Sequence, residues 1–145
     1  MFDKIASLLG IRKSQPAHFK SRRVLVVDDS KSDLLLIKRT VERMGHQVFT
    51  AENGKSGLEI ARKEKPDLIL SDCNMPEMDG VRMCKEIKDD PQVKNIPLIF
   101  LTGVDTPSTV IECFDMGVDN YIGKPINPKL LADQITKIFE ERPAS

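Results

Sequence analysis

Three carboxylates, a hydroxyl and an amine stand at matching places in this sequence, each at the end of a short apolar run. Val24-Leu25-Val26-Val27 ends in Asp28-Asp29. Leu68-Ile69-Leu70 passes through Ser71 into Asp72. Pro97-Leu98-Ile99-Phe100-Leu101 closes on Thr102, and Lys124 follows Asn120-Tyr121-Ile122. If the runs are strands of one sheet, the five polar groups converge at one rim. Three carboxylates at close range repel, and burial raises the cost of their charge. A hard divalent cation with oxygen ligands relieves that repulsion, and Mg²⁺ suits a site with few carboxylates and several waters. Lys124 adds a second positive charge and Thr102 a hydroxyl. Such a set prepares a place for a phosphoryl group, held by Mg²⁺, an ammonium and a hydroxyl.

The elements that position these residues are legible in the pattern. Continuous apolar runs fit strands buried on both faces of a parallel sheet. Ser30, with Asp33 three residues on, opens a helix carrying Leu34, Ile37, Val41 and Met44, and Gly45 suits its stop. Gln47–Ala51 is a short second strand. Asn53-Gly54 opens a second helix through Leu58 and Ala61, before Pro66. After Asp72, a loop with Pro76 and Gly80 leads to a helix carrying Met83, Cys84 and Ile87. Thr106-Pro107 starts a fourth helix, as N-cap and first-turn proline, and Gly117 ends it. Asn127-Pro128 starts the last helix, through Leu131, Ile135 and Ile138. Five strands alternating with five helices predict an α/β fold, a doubly wound parallel sheet with helices on both faces. In such sheets ligands bind beyond the carboxyl ends of the strands.

Composition narrows the function classes. The chain has 145 residues, room for one domain, with 40% hydrophobic and 30% charged side chains. Aromatics are 5% with no Trp, against an aromatic surface for stacking bases. Lys+Arg and Asp+Glu number 22 each, which disfavours a uniformly basic DNA-binding protein, and no nucleic-acid partner is expected. Cys73, Cys84 and Cys113 form no C-x-x-C, so reduced thiols and a cytoplasmic protein are the plain reading. His18 and His46 have no Cys or His at ligand spacing. No apolar run approaches the ~20 residues of a membrane span, and Asp3 and Lys4 interrupt any secretory signal.

Four stretches, taken in order, resemble the receiver domain of two-component response regulators: Val24–Asp29, Asp72-Cys73-Asn74-Met75-Pro76-Glu77-Met78-Asp79-Gly80, Leu101-Thr102-Gly103, and Asp119-Asn120-Tyr121-Ile122-Gly123-Lys124-Pro125. The resemblance covers about residues 22–141. It is closest to stand-alone receivers of the chemotaxis type, with no output domain expected after residue 141. It implies a flavodoxin-like five-stranded sheet of order 2-1-3-4-5. It implies that Asp72 is the phosphoacceptor, a carboxylate nucleophile supplied by a histidine kinase or phosphotransfer protein. Asp29, Asp72 and the Asn74 backbone carbonyl are the implied direct Mg²⁺ ligands, with Asp28 acting partly through water. Lys124, preceding Pro125 in an implied cis peptide, pairs with Asp72 and then with a phosphate oxygen. Thr102 and Tyr121 are the implied switch: the hydroxyl turns toward the phosphoryl group, and the ring swings inward behind it. Gly103 leaves space beside the phosphoryl group. Asn74 and Val104 flank the approach of water and so influence its lifetime. The implied output surface, for a downstream target protein, is the fourth helix, fifth strand and fifth helix, including Ile111, Phe114 and Tyr121.

Other readings fit less well. An aspartyl-phosphate hydrolase of the haloacid dehalogenase type wants a general acid two residues after its nucleophile, where this chain has Asn74. A flavodoxin-like electron carrier would meet Asp28-Asp29 where flavin phosphate must bind. A degenerate receiver serving only to bind protein would not need all of Asp28, Asp29, Asp72, Thr102 and Lys124.

Residues 1–22 stand apart from the domain at 23–141. Residues 1–23 carry six basic side chains against Asp3 alone, a net charge of +5, leaving −5 on the rest. Phe2, Ile5, Ala6, Leu8 and Leu9 fall within an arc of about 160° on a helix, with Asp3, Lys4 and Ser7 opposite. A helix this short needs docking to be stable. A protein partner, a second copy, its own body or an anionic membrane surface are the expected supports. Gly10, Ser14, Pro16 and Ser21 read as a linker.

Overall fold

A computed structural model describes residues 20–73, 75, 78–103, 111 and 114–143. The elements are β1 (Arg23–Val27), α1 (Lys31–Arg43), β2 (Gln47–Ala51), α2 (Gly54–Glu64), β3 (Leu68–Asp72), α3 (Gly80–Asp89), β4 (Leu98–Thr102), β5 (Asn120–Gly123) and α4 (Pro128–Glu141). The strands form one sheet in the order β2-β1-β3-β4-β5, every neighbouring pair parallel. This is the doubly wound fold expected from the sequence. The amphipathic segment 1–10, Asn74, Val104 and the helix start at Thr106-Pro107 lie outside the described residues. Ile111 and Phe114–Asp115 are helical.

The continuous apolar runs have a simple origin. Side chains alternate between the two faces of a strand, and here both faces are covered. Leu25, Val27, Ile69 and Phe100 pack with Leu58, Ala61, Met83, Cys84 and Ile87 of α2 and α3. Val24, Val26, Leu68, Leu70, Ile99 and Leu101 pack with Ile37, Val41, Leu131, Ile135 and Ile138 of α1 and α4.

Helix ends are capped where the sequence indicated. Ser30 accepts from the Asp33 N–H, Asn53 from the Ser56 N–H, and Asn127, ahead of Pro128, from the N–H groups of Lys129 and Leu130. Gly45 ends the α1 turn at φ 95°, a backbone angle that favours glycine. Asp79 caps α3 by accepting from the Arg82 N–H at 2.8 Å, so the loop after β3 ends on a carboxylate cap. Ser21 and Arg22, placed in the linker by composition, are bonded to the domain. Ser21 Oγ donates to the Gly45 carbonyl at 2.8 Å, and the Arg22 guanidinium donates to the Arg142 carbonyl at 3.0 Å.

Candidate functional site

The strand order brings the carboxyl ends of β1, β3, β4 and β5 side by side. Asp28 follows β1, Asp72 ends β3, Thr102 ends β4, and Lys124 follows β5. Pairing sets their heights: Val27 lies opposite Ser71, Asp72 opposite Leu101, and Thr102 opposite Gly123. The chain is pinned on either side of the site. The Asp28 N–H donates to the Ala51 carbonyl at 3.0 Å, and the Lys124 N–H donates to the Thr102 carbonyl at 2.8 Å. The Lys124–Pro125 peptide is cis.

Asp28, Asp29 and Asp72 each present a carboxylate oxygen, and these lie within 4.8 Å of one another. Asp28 has no solvent exposure, Asp72 is buried, and Asp29 is exposed. Lys124 reaches over the cluster. Its Nζ is 2.9 Å from Asp28 Oδ2 and 3.3 Å from Asp72 Oδ2. The other Asp28 oxygen accepts from the Ser30 N–H at 2.9 Å. Burial pushes the Asp28 carboxyl above its ordinary range, against the pull of Lys124 and the Ser30 N–H. Burial opposes charge on Lys124 too. Hydrogen bonds donated to Asp28 and Asp33, and the charges of Asp28 and Asp72, outweigh it and hold the ammonium well above its ordinary pKa.

Thr102 is buried at the rim, and a Cβ on the next residue, Gly103, would meet nothing within 4 Å among the described residues. Gly80 does the reverse. A Cβ there would sit 1.9 Å from the Asp72 carbonyl oxygen, so only glycine lets α3 start this close to β3. Tyr121 is half-buried on the edge strand β5, opposite Phe100 and two positions before Gly123, behind the rim rather than on it. Ile111 and Phe114 are 61% and 50% exposed, an apolar pair between β4 and β5. Asn74, proposed from sequence as a carbonyl ligand, lies outside the described residues.

One site residue escaped the sequence reading. Asp33 Oδ2 lies 3.0 Å from Lys124 Nζ. In the sequence Asp33 reads only as a helix-start residue. The available signal was its place in the first turn of α1, because helical side chains lean toward the N-terminus, here back over the rim.

The donor set consists of hard anionic oxygens crowded against one another, and it fits a divalent cation with oxygen ligands. Beside it stand a cation and a hydroxyl. That arrangement can receive an oxyanion next to a carboxylate nucleophile.

Comparison with known proteins agrees with this geometry. The family model for the response regulator receiver domain matches residues 24–136. Protein PilH of Pseudomonas aeruginosa is 34% identical over 117 residues, covering 81% of this chain and 97% of that protein. The alkaline phosphatase synthesis transcriptional regulatory protein PhoP of Bacillus subtilis is 36% identical over 119 residues, 82% of this chain but 49% of its own length. The chain thus spans half the length or less of several curated relatives, and nearly all of PilH. Among solved structures, chemotaxis response regulator CheY4 of Vibrio cholerae superposes with a TM-score of 0.77 at 33% identity, over 82% of this chain and 99% of that one.

Proposed function

This chain belongs to the response regulator receiver domain family of two-component systems, and from that premise we propose that Asp72 is its phosphoacceptor. Members of this family are phosphoacceptor signalling domains that work with histidine kinases or phosphotransfer proteins. The observation that carries the assignment is the Asp28–Asp29–Asp72 cluster bridged by Lys124.

In the proposed reaction an Asp72 carboxylate oxygen attacks the phosphorus of a phosphohistidine. The P–O bond forms, the P–N bond breaks, and the imidazole keeps the electron pair. Asp29 and Asp72, with the Asn74 carbonyl, would hold Mg²⁺ directly, and Asp28 partly through water. Bound there, the cation supplies positive charge against the phosphoryl oxygens. Lys124 supplies a second positive charge from the β5 side. Thr102 offers its hydroxyl to a phosphoryl oxygen, with Gly103 leaving room beside it. The chain catalyses only this transfer onto itself and slow hydrolysis of its own acyl phosphate.

The output is altered partner binding. Movement of Thr102 toward the phosphoryl group and of Tyr121 behind it would reshape the surface around Ile111, Phe114, β5 and α4, where a downstream target protein binds. Residues 1–22 would carry a docking segment, for a partner protein, a second copy or a membrane surface, with Ser21 and Arg22 at its end bonded to the domain. Among the described residues no helix is long and apolar enough to cross a membrane, and a cytoplasmic place of action with no nucleic-acid partner follows from this reading. Phosphorylation of the intact chain by a small phosphodonor, compared with Asp72→Asn, tests the proposal.

A further inference from the structure

The Lys124 ammonium has three N–H bonds, and three carboxylate oxygens stand around it. Asp28 Oδ2 is at 2.9 Å, Asp33 Oδ2 at 3.0 Å and Asp72 Oδ2 at 3.3 Å. Asp28 and Asp72 belong to the acid cluster at the strand ends. Asp33 does not, because it comes from the first turn of α1. Ser30 already serves the start of that helix, through its bond from the Asp33 N–H. The Asp33 carboxylate is therefore not spent on capping, and it faces the ammonium.

We propose that Asp33 restrains phosphoryl transfer by holding Lys124 in the unphosphorylated protein, and that it must release the ammonium when a phosphoryl oxygen arrives. The proposal rests on the reading of Asp72 as acceptor. A fully engaged ammonium can take a new oxygen only when one partner leaves. Asp28 is the least able to leave: its side chain has no exposure, and its second oxygen is held by the Ser30 N–H. Asp72 attacks through its other oxygen, Oδ1, and its Oδ2, as the carbonyl oxygen of the acyl phosphate, still accepts from the ammonium. Asp33 has the most exposed side chain of the three, at 30%, so water can solvate it once released. An interaction present in the ground state and lost in the transition state slows a reaction. The Asp33 charge also repels incoming phosphoryl oxygens, an effect of the same sign. Asp33 is thus a positioning residue, and it ties the state of Asp72 to the first turn of α1.

The test uses the full chain with acetyl phosphate at saturating Mg²⁺. Asp33→Asn keeps the shape and weakens the bond, so Asp72 should be phosphorylated about fivefold faster, the rate equivalent of ~1 kcal/mol. Asp33→Glu restores the charge and should return the rate to within about twofold of the parent. In a Lys124→Ala background the same Asp33→Asn change should accelerate much less, because no ammonium remains to be released. An unchanged or slower Asp33→Asn, or equal acceleration in both backgrounds, overturns the proposal. Urea unfolding of the unphosphorylated variants in EDTA reads the contact without any phosphoryl transfer. Asp33→Asn should lower the midpoint more with Lys124 present than in Lys124→Ala, and equal shifts overturn the proposal. A parent chain that takes up no phosphoryl group would defeat the acceptor assignment, while the unfolding measurements would still decide whether Asp33 holds Lys124.

Discussion

Lys124 Nζ lies 2.9 Å from an oxygen of Asp28, a carboxylate with no solvent exposure. The contact joins the end of the first strand of the chain to the residue after its last strand and neutralises the most deeply buried acid of the site. Removing the amine leaves Asp28, Asp29 and Asp72 crowded within 4.8 Å with no cation beside them. Lys124→Ala should therefore lower the unfolding free energy by about 2–3 kcal/mol in metal-free buffer, less than for a fully buried pair because Lys124 is partly solvated. The loss should shrink on adding Mg²⁺, whose affinity should be no weaker than in the parent. Urea unfolding with and without Mg²⁺ checks both statements, and a loss that does not depend on Mg²⁺ contradicts them.

The two neighbouring acids should differ toward metal. Both Asp28 oxygens have partners, the Ser30 N–H and Lys124, whereas Asp29 is exposed at the rim. Asp29→Ala should weaken Mg²⁺ binding more than Asp28→Ala, because a direct ligand contributes more than one acting through water. A calorimetric titration ranks them. If Asp28→Ala proves the more damaging, the roles are reversed.

The two kinds of information at this site were not equally legible in the sequence. The core strands declare themselves because both faces of Val24–Val27, Leu68–Leu70 and Leu98–Leu101 are covered, leaving unbroken apolar runs. Asp72, Thr102 and Lys124 stand out because each closes or follows such a run. Asp33 did not stand out. Its partner Lys124 is distant in sequence, and a first-turn acid has an ordinary helix-dipole explanation. Asp79 escapes for a different reason: its capping contact is local, to the Arg82 N–H three residues on, but the stretch from Pro76 to Gly80 reads simply as loop. His46 was a lone imidazole in the sequence, and its neighbours Arg22 and Phe139 come from opposite ends of the chain. Contacts set by tertiary closure leave little local trace.

His46 makes stability depend on pH. Its Nδ1 accepts from the Arg22 N–H at 3.0 Å, and its ring meets Phe139 edge-on at 5.0 Å. Burial first, and the Arg22 charge second, hold its pKa below the usual value. The folded state thus binds fewer protons than the unfolded state. The contribution is fully present above about pH 6.5 and is lost as pH falls toward the depressed folded value. His46→Asn offers an amide oxygen to the same N–H and does not titrate there. Its unfolding free energy should fall less than the parent's between about pH 7.5 and pH 5.5. Parallel curves for the two proteins contradict this.

Deleting residues 1–20 should leave phosphorylation of Asp72 intact and change oligomeric state, partner affinity or vesicle binding. The apolar stripe Phe2, Ile5, Leu8 and Leu9 needs a surface to bury against. Sedimentation, pull-down with the target once it is known, and co-flotation with anionic vesicles compare the full and truncated chains. Indifference in all three contradicts a docking role.

The central claim is that Asp72 takes the phosphoryl group, and the most direct measurement is the intact mass of the chain after incubation with acetyl phosphate and Mg²⁺. The account predicts one added phosphoryl group, labile to base and hydroxylamine as an acyl phosphate is, absent without Mg²⁺ and absent in Asp72→Asn, whose amide is neither a nucleophile nor an anionic ligand. Stoichiometric labelling that persists in Asp72→Asn would place the acceptor elsewhere and contradict the account.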